Sequence, residues 1–255
     1  MLLILAPSKT QKYIERDFPQ YTQPILLKKS LLLADHLKTL SKTELAQLMK
    51  ISEKLTKETY HRVHNFQLPL SIKNSHQAIF TFQGDAYSQM KPKDYSEEEL
   101  HYAQDHLHIF SGLYGILRPL DLMFPYRLEM GLKLVTPEAK NLYHYWGDSP
   151  TDVINSSLTK TNSRRLVNLA SAEYVKVVNR KKLRGEIVTI TFRQKKNGIY
   201  KTIPIYSKKA RGLMTHFAIV NQIAKAEDLK SFNLDGYSYK EEESTEEIWM
   251  FKKKE

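Results

Sequence analysis

Four charged side chains, Arg118, Asp121, Arg127 and Glu129, fall within twelve residues of a segment interrupted by Pro119 and Pro125. The prolines deny this stretch a continuous helix, so the four sit on irregular backbone rather than along one helix face. Guanidinium groups capture carboxylate or phosphate through paired N–H donors, and a neighbouring acid holds them in position. Lys9, Asp85, Tyr87, Asn168, Ser171 and Glu173 come from other short segments that are equally rich in reactive side chains. Two readings are open. The residues converge on one pocket that binds or transforms an anionic small molecule, or they are buried ion pairs and hydrogen-bonded turns that hold an irregular fold together. No spacing among them identifies a reaction, so the sequence leaves open whether the chain is an enzyme.

Metal and thiol chemistry find little support. The chain has no cysteine, which excludes disulfides, cysteine-held zinc or iron–sulfur clusters, and reduction of peroxide by a protein thiol. His61 and His64 are three apart on an expected helix and share a face, whereas His106 and His108 diverge. Neither pair has a carboxylate at a characteristic ligand spacing, so no metal site and no cofactor is predicted.

The formal charge is +11, and it is unevenly placed. Between Lys160 and Gly212 there are 15 Lys and Arg against only Glu173 and Glu186, while the rest of the chain carries 24 basic and 26 acidic side chains. A block of one sign points to a polyanionic partner, because a merely solvated surface interleaves its charges. Lys176, Arg180, Lys181, Lys182 and Arg184 precede an expected β-hairpin, Lys195 and Lys196 sit at its tip, and Lys208, Lys209 and Arg211 follow it. Contacts to successive phosphates need charge and spacing more than base-edge chemistry. The block therefore predicts a phosphate-bearing polyanion as partner, gripped largely without sequence specificity.

Those side chains must be held by mixed elements. Leu2 to Ala6 reads as a buried strand that Pro7-Ser8-Lys9-Thr10 turns out of. Ile25 to Leu40 has helical periodicity, and Ser41-Lys42-Thr43-Glu44 supplies a capping box for a second helix. The region 25–55 is thus either an ordinary helical pair with a good N-cap or a helix-hairpin-helix candidate, in which backbone amides near Ser41 and the Lys42 ammonium would take a phosphate. Its turn lacks the glycines that let a backbone approach a duplex closely. Further expectations are a strand at Ala78 to Phe82, a helix opened by Ser96, and a strand at Arg165 to Ala170. A hairpin of Glu186 to Arg193 and Ile199 to Tyr206 turns at Asn197-Gly198. A helix at Lys208 to Ala224 and strands at Phe232 to Tyr239 and Ile248 to Phe251 complete the chain. Helices and strands do not alternate regularly, which predicts an α+β class in one domain over residues 1–255. The start lacks the basic residues and cleavage site of a secretory signal, and no apolar run approaches the roughly eighteen residues needed to cross a bilayer. A cytoplasmic protein without membrane association is expected.

Several segments carry a resemblance when taken in order. They are Pro7-Ser8-Lys9-Thr10, Phe82-Gln83-Gly84-Asp85-Ala86-Tyr87, Ser111 to Asp121, Pro125 to Gly131, Trp146-Gly147-Asp148, Asn168 to Tyr174, and Lys208-Lys209-Ala210-Arg211-Gly212. From about residue 2 to residue 252 the chain resembles the YaaA peroxide-stress family. The resemblance implies a compact mixed domain that limits hydrogen peroxide damage by keeping unincorporated iron low. It also implies duplex DNA binding through a basic cleft and a helix-hairpin-helix element.

Overall fold

The computed structural model describes residues 1–254. Strand β1 (Leu2–Leu5) is entirely apolar and entirely buried. After an irregular excursion come α1 (Leu27–Lys38), α2 (Lys42–Met49) and α3 (Glu53–His64), with α1 and α2 both packed on α3. Strand β2 (His76–Gln77) leads into the single turns α4 (Ala78–Thr81) and α5 (Tyr87–Met90) and then α6 (Glu97–His106). Strands β3 (Leu107–Ser111), β4 (Gly115–Leu117) and β5 (Leu122–Met123) follow, then α7 (Leu142–Trp146) and α8 (Ser149–Lys160). Strand β6 (Arg165–Asn168) and the turn α9 (Ala172–Val175) precede the hairpin of β7 (Glu186–Lys196) and β8 (Ile199–Lys201). The hairpin runs into α10 (Pro204–Val220), and β9 (Tyr237–Lys240) and β10 (Ile248–Lys253) complete the sheet.

Eight strands form one sheet in the order β4-β3-β1-β6-β7-β10-β9, with β8 added beside β7, and β2 and β5 pair separately. Its centre, β3-β1-β6-β7-β10, is parallel, and antiparallel partners close the edges. Ile4 of β1 stands in register with His108 on one side and Asn168 on the other. Strands covered on both faces must be apolar throughout rather than alternating, which is why β1 reads as an unbroken hydrophobic run. Leaving β1, the chain first builds β3 on one side, and only after β4 and α8 does it return to place β6 on the other. The carboxyl end of β1 is therefore a switch point, where connections diverge and a crevice opens.

The α+β class stands, with a parallel centre that irregular connections conceal in the sequence. The hairpin is as expected: Asn197 and Gly198 have φ of 54° and 78°, the pair of positive angles that a two-residue turn demands. The Ala78 to Phe82 strand is instead the helical turn α4. Ala78–Thr81 are all buried, so the segment shows no amphipathic period, and the Thr81 hydroxyl donates to the Gln77 carbonyl to close the turn. The strand expected over Ile199 to Tyr206 stops at Lys201, because Pro204 opens α10 from a position where its missing N–H is no loss. At Phe232 to Tyr239 only the end is a strand, preceded by 3-10 turns. No helix among the described residues is long and apolar enough to cross a membrane.

Candidate functional site

A cavity of about 460 Å³ opens at the switch point. Leu5, Ala6 and Leu169 form its floor, at the ends of β1 and β6, and its walls come from the segments 7–11, 83–87, 126–129 and 171–174 together with α10. Lys9, Asp85, Tyr87, Arg127, Glu129, Ser171 and Glu173 all line it, as a convergent pocket requires. Lys208 and Arg211, assigned from sequence to a phosphate-gripping surface, line it too.

Close backbone packing sets these positions. A Cβ on Gly212 would stand 2.0 Å from the Ala86 carbonyl oxygen, so only glycine lets α10 carry Lys208 and Arg211 this close to the 84–86 turn. Gly84 takes a φ of 104° against the Ser8 hydroxyl, joining that turn to the segment after β1. Hydrogen bonds do the rest. The Tyr87 hydroxyl donates to the Ala6 carbonyl at 2.9 Å, the Tyr126 amide to Gln11 Oε1 at 2.6 Å, and the Gly131 amide to Glu173 Oε1 at 2.8 Å.

The charges inside are incompletely matched. Lys9 Nζ lies 2.7 Å from Glu129 Oε1, and Arg127 approaches the same oxygen only to 3.6 Å. Gln83 Nε2, the Tyr126 hydroxyl, Arg127 Nε, Glu129 Oε2 and Arg211 Nε are buried and have no hydrogen-bond partner. Buried polar atoms are otherwise paired almost without exception, so five among the lining residues of one cavity mark a site organised for something other than itself. Burial pulls the Arg211 guanidinium below its ordinary pKa and pushes the Tyr87, Tyr126 and Tyr174 phenols up, keeping those hydroxyls neutral.

Three residues expected in the pocket are elsewhere. Asp121 is fully buried and accepts from the Arg118 amide at 2.7 Å, from Arg118 Nε at 3.2 Å and Nη2 at 2.8 Å, and from the Thr22 hydroxyl at 2.6 Å. Arg118 Nη2 also donates to the Gln23 carbonyl, so this pair ties the first irregular excursion to β4. Arg118 borders a second cavity of about 450 Å³, where Lys160 and Asp105 pair with each other at 2.6 Å. His108 is buried beside it, held neutral by burial first and by the Arg118 charge second, with its pKa lowered to about 3. Asn168 Oδ1 accepts from the Ala170 amide and its Nδ2 donates to Thr189, shaping the chain as it leaves β6 rather than meeting a ligand. Gln83, Tyr126, Leu128 and Tyr174 line the pocket without having been singled out. Each lies within a segment already conspicuous in the sequence, which was the available signal.

A family model described as Peroxide stress protein YaaA matches residues 1–243. The chain belongs to this family. It is a peroxide-stress protein, and the cavity sits where five of the seven segments singled out in the sequence meet.

The basic block of this family member does not fold into one face. Strand β7 is parallel to β6, which is parallel to β1, so the hairpin tip with Lys195 and Lys196 projects from the same sheet end as the cavity. Arg184 precedes β7 and lies at the opposite end, its amide donating to Asn155 Oδ1. Lys176, Lys181 and Arg184 are exposed and make no ion pair among the described residues. Arg180 is 3.8 Å from Glu247 and Lys182 is 2.5 Å from Asp148, so these two are already engaged. Lys209, on α10 beside Lys208, is half-buried and does not line the cavity. At the candidate hairpin between α1 and α2, Ser41 caps α2 as expected, but Glu44 Oε2 accepts from both the amide and the hydroxyl of Ser41. The Ser41 amide is thus already taken up by the protein's own carboxylate, and the Lys42 ammonium lies over the Tyr60 ring, 5.0 Å from its centroid.

Proposed function

We propose that the protein serves the peroxide-stress response by binding a small anionic molecule at the carboxyl end of β1. The observation that supports this reading most strongly is the surplus of buried donors among the lining cations, with Arg127 Nε and Arg211 Nε unpaired. A buried donor left unmade costs about 1–3 kcal/mol, which an accepting ligand oxygen recovers. Thermal melts with phosphate, pyrophosphate and citrate test it. A ligand at a hundred times its Kd stabilises by about 2.7 kcal/mol, roughly 5–10 °C for a chain of this size. The double variant Lys208→Ala/Arg211→Ala should melt like the unsubstituted protein without ligand and lose the shift. If no anion raises the Tm, or if the double variant still responds fully, the reading is wrong.

Duplex DNA is a second partner, favoured by the exposed Lys176 and Lys196 and by a hairpin tip that projects beside the cavity. Each ammonium seated on a phosphate displaces condensed counterions. Among the displaced cations would be ferrous ion, which at the duplex would reduce peroxide to hydroxide and a hydroxyl radical. This route connects DNA binding to iron without requiring the protein to store the metal. Binding should then fall with salt by a log–log slope of several units and depend little on sequence, and added protein should release ferrous ion from DNA in equilibrium dialysis. Salt-insensitive binding, or undiminished iron on the duplex, would contradict it.

A further inference from the structure

We infer that the molecule held in this cavity is a nucleotide, with its phosphate on Lys208 and Arg211 and the hydrogen-bonding edge of its base on Arg127 and Glu129. The inference rests on the anion-site reading above and adds the chemical class.

The unmet capacity of the cavity has both signs. Arg127 Nε, Arg211 Nε and Gln83 Nε2 are donors, but Glu129 Oε2 is an acceptor on a carboxylate whose side chain is only 15% exposed. A simple anion would satisfy the donors, be repelled by Glu129, and leave Oε2 unpaired. The ligand must therefore bring an N–H or O–H as well as anionic oxygens. Arg127 and Glu129, whose side chains approach to 3.6 Å, offer a donor and an acceptor close together. That is the complement of a base edge on which a carbonyl or ring nitrogen adjoins an N–H.

Shape and place agree with this assignment. Tyr126, Tyr174, Leu128 and Leu169 give the cavity apolar walls against which a flat ring can pack, and its volume suits a ligand of nucleotide size. Open sheets bind such ligands at the switch point of their parallel strands. Here one familiar device is missing, since β1 leads into an irregular segment rather than a helix and no helix N-terminus faces the site from that strand. Lys208 and Arg211, delivered by α10 across Gly212, supply the positive charge instead.

Calorimetry with inorganic phosphate, ribose 5-phosphate and the four common ribonucleoside monophosphates decides the matter. At least one nucleotide should bind about tenfold or more tightly than ribose 5-phosphate, as expected for a charged hydrogen bond recovered in a buried site. Glu129→Gln should erase most of that advantage, with ribose 5-phosphate held no less tightly once the repelling carboxylate is gone, and Arg211→Ala should weaken every phosphate-bearing ligand. Gln83→Leu is a second probe, expected to lower nucleotide affinity alone, should Glu129→Gln fold poorly. Equal affinity for ribose 5-phosphate and all four nucleotides would overturn the inference while sparing the anion site. Failure of every phosphate compound to bind would overturn both.

Discussion

Two arginine–carboxylate pairs nine residues apart in the chain have opposite characters. Arg118 and Asp121 leave no buried atom without a partner, since both carboxylate oxygens accept hydrogen bonds, and four donor groups converge on them. Arg127 and Glu129 meet at 3.6 Å, share their contact with Lys9, and keep one buried atom each without a partner. Burial, charge and residue type are nearly the same. What separates them is completeness: a finished hydrogen-bond set makes scaffold, and an unfinished one makes a site.

The sharpest way to break this contrast is to truncate the finished pair. Arg118→Ala should cost about 3–5 kcal/mol in denaturant unfolding, because it strands the Asp121 carboxylate in the core. Burial already pushes that carboxyl's pKa up, and Arg118 opposes the push. A carboxyl with a higher pKa folded than unfolded gains a proton on folding, so its stabilising share is present at low pH and is lost as pH rises through the folded value. Removing Arg118 strengthens this behaviour, and the deficit of the variant should shrink as pH falls from 7 towards 4. A deficit that grows on acidification would contradict the assignment.

Gly212→Ala comes next. Its methyl group cannot fit 2.0 Å from the Ala86 carbonyl, so α10 must shift at a cost of about 1–3 kcal/mol, taking Lys208 and Arg211 with it. Stability and ligand response should fall together, and a variant that binds normally would mean that α10 does not position the cations. Arg211→Ala tests the unfinished side directly. Since its Nε has no partner to lose, the unfolding free energy should move by no more than about 1 kcal/mol while anion binding disappears. A large loss of stability would class Arg211 with Arg118. The smallest effect belongs to Lys181→Ala/Lys182→Ala/Arg184→Ala. Lys182 is already bound to Asp148, so the melting curve should barely change and the salt slope of DNA binding should drop by about two units, from Lys181 and Arg184. An unchanged slope would show that this segment does not touch the duplex.

What the sequence revealed follows from how local each signal is. The hairpin was legible because Asn197-Gly198 can hardly do anything else, and α2 and α6 because Ser41 with Glu44 and Ser96 with Glu99 close their own capping boxes. Segment 78–82 was misread because an element buried on every side has no period to read. The parallel centre was hidden because β1 pairs with strands that begin at Leu107 and Arg165, and no local pattern announces a partner so distant. In the same way residue type could not divide the ten candidates: seven line one cavity while Arg118, Asp121 and Asn168 lie elsewhere, and satisfaction of a hydrogen bond is visible only in three dimensions.

The central position of β1 has a consequence for synthesis. Leu2–Leu5 emerges from the ribosome before either neighbour exists, and its second flank cannot be covered until Leu166–Asn168 has been made. At roughly 5–20 residues per second, the wait lasts on the order of ten to thirty seconds. Throughout it the nascent chain displays a wholly aliphatic strand with at least one edge unpaired. Production of this protein should therefore depend on chaperones that hold emerging chains, and slowing translation before residue 165 should lengthen that dependence.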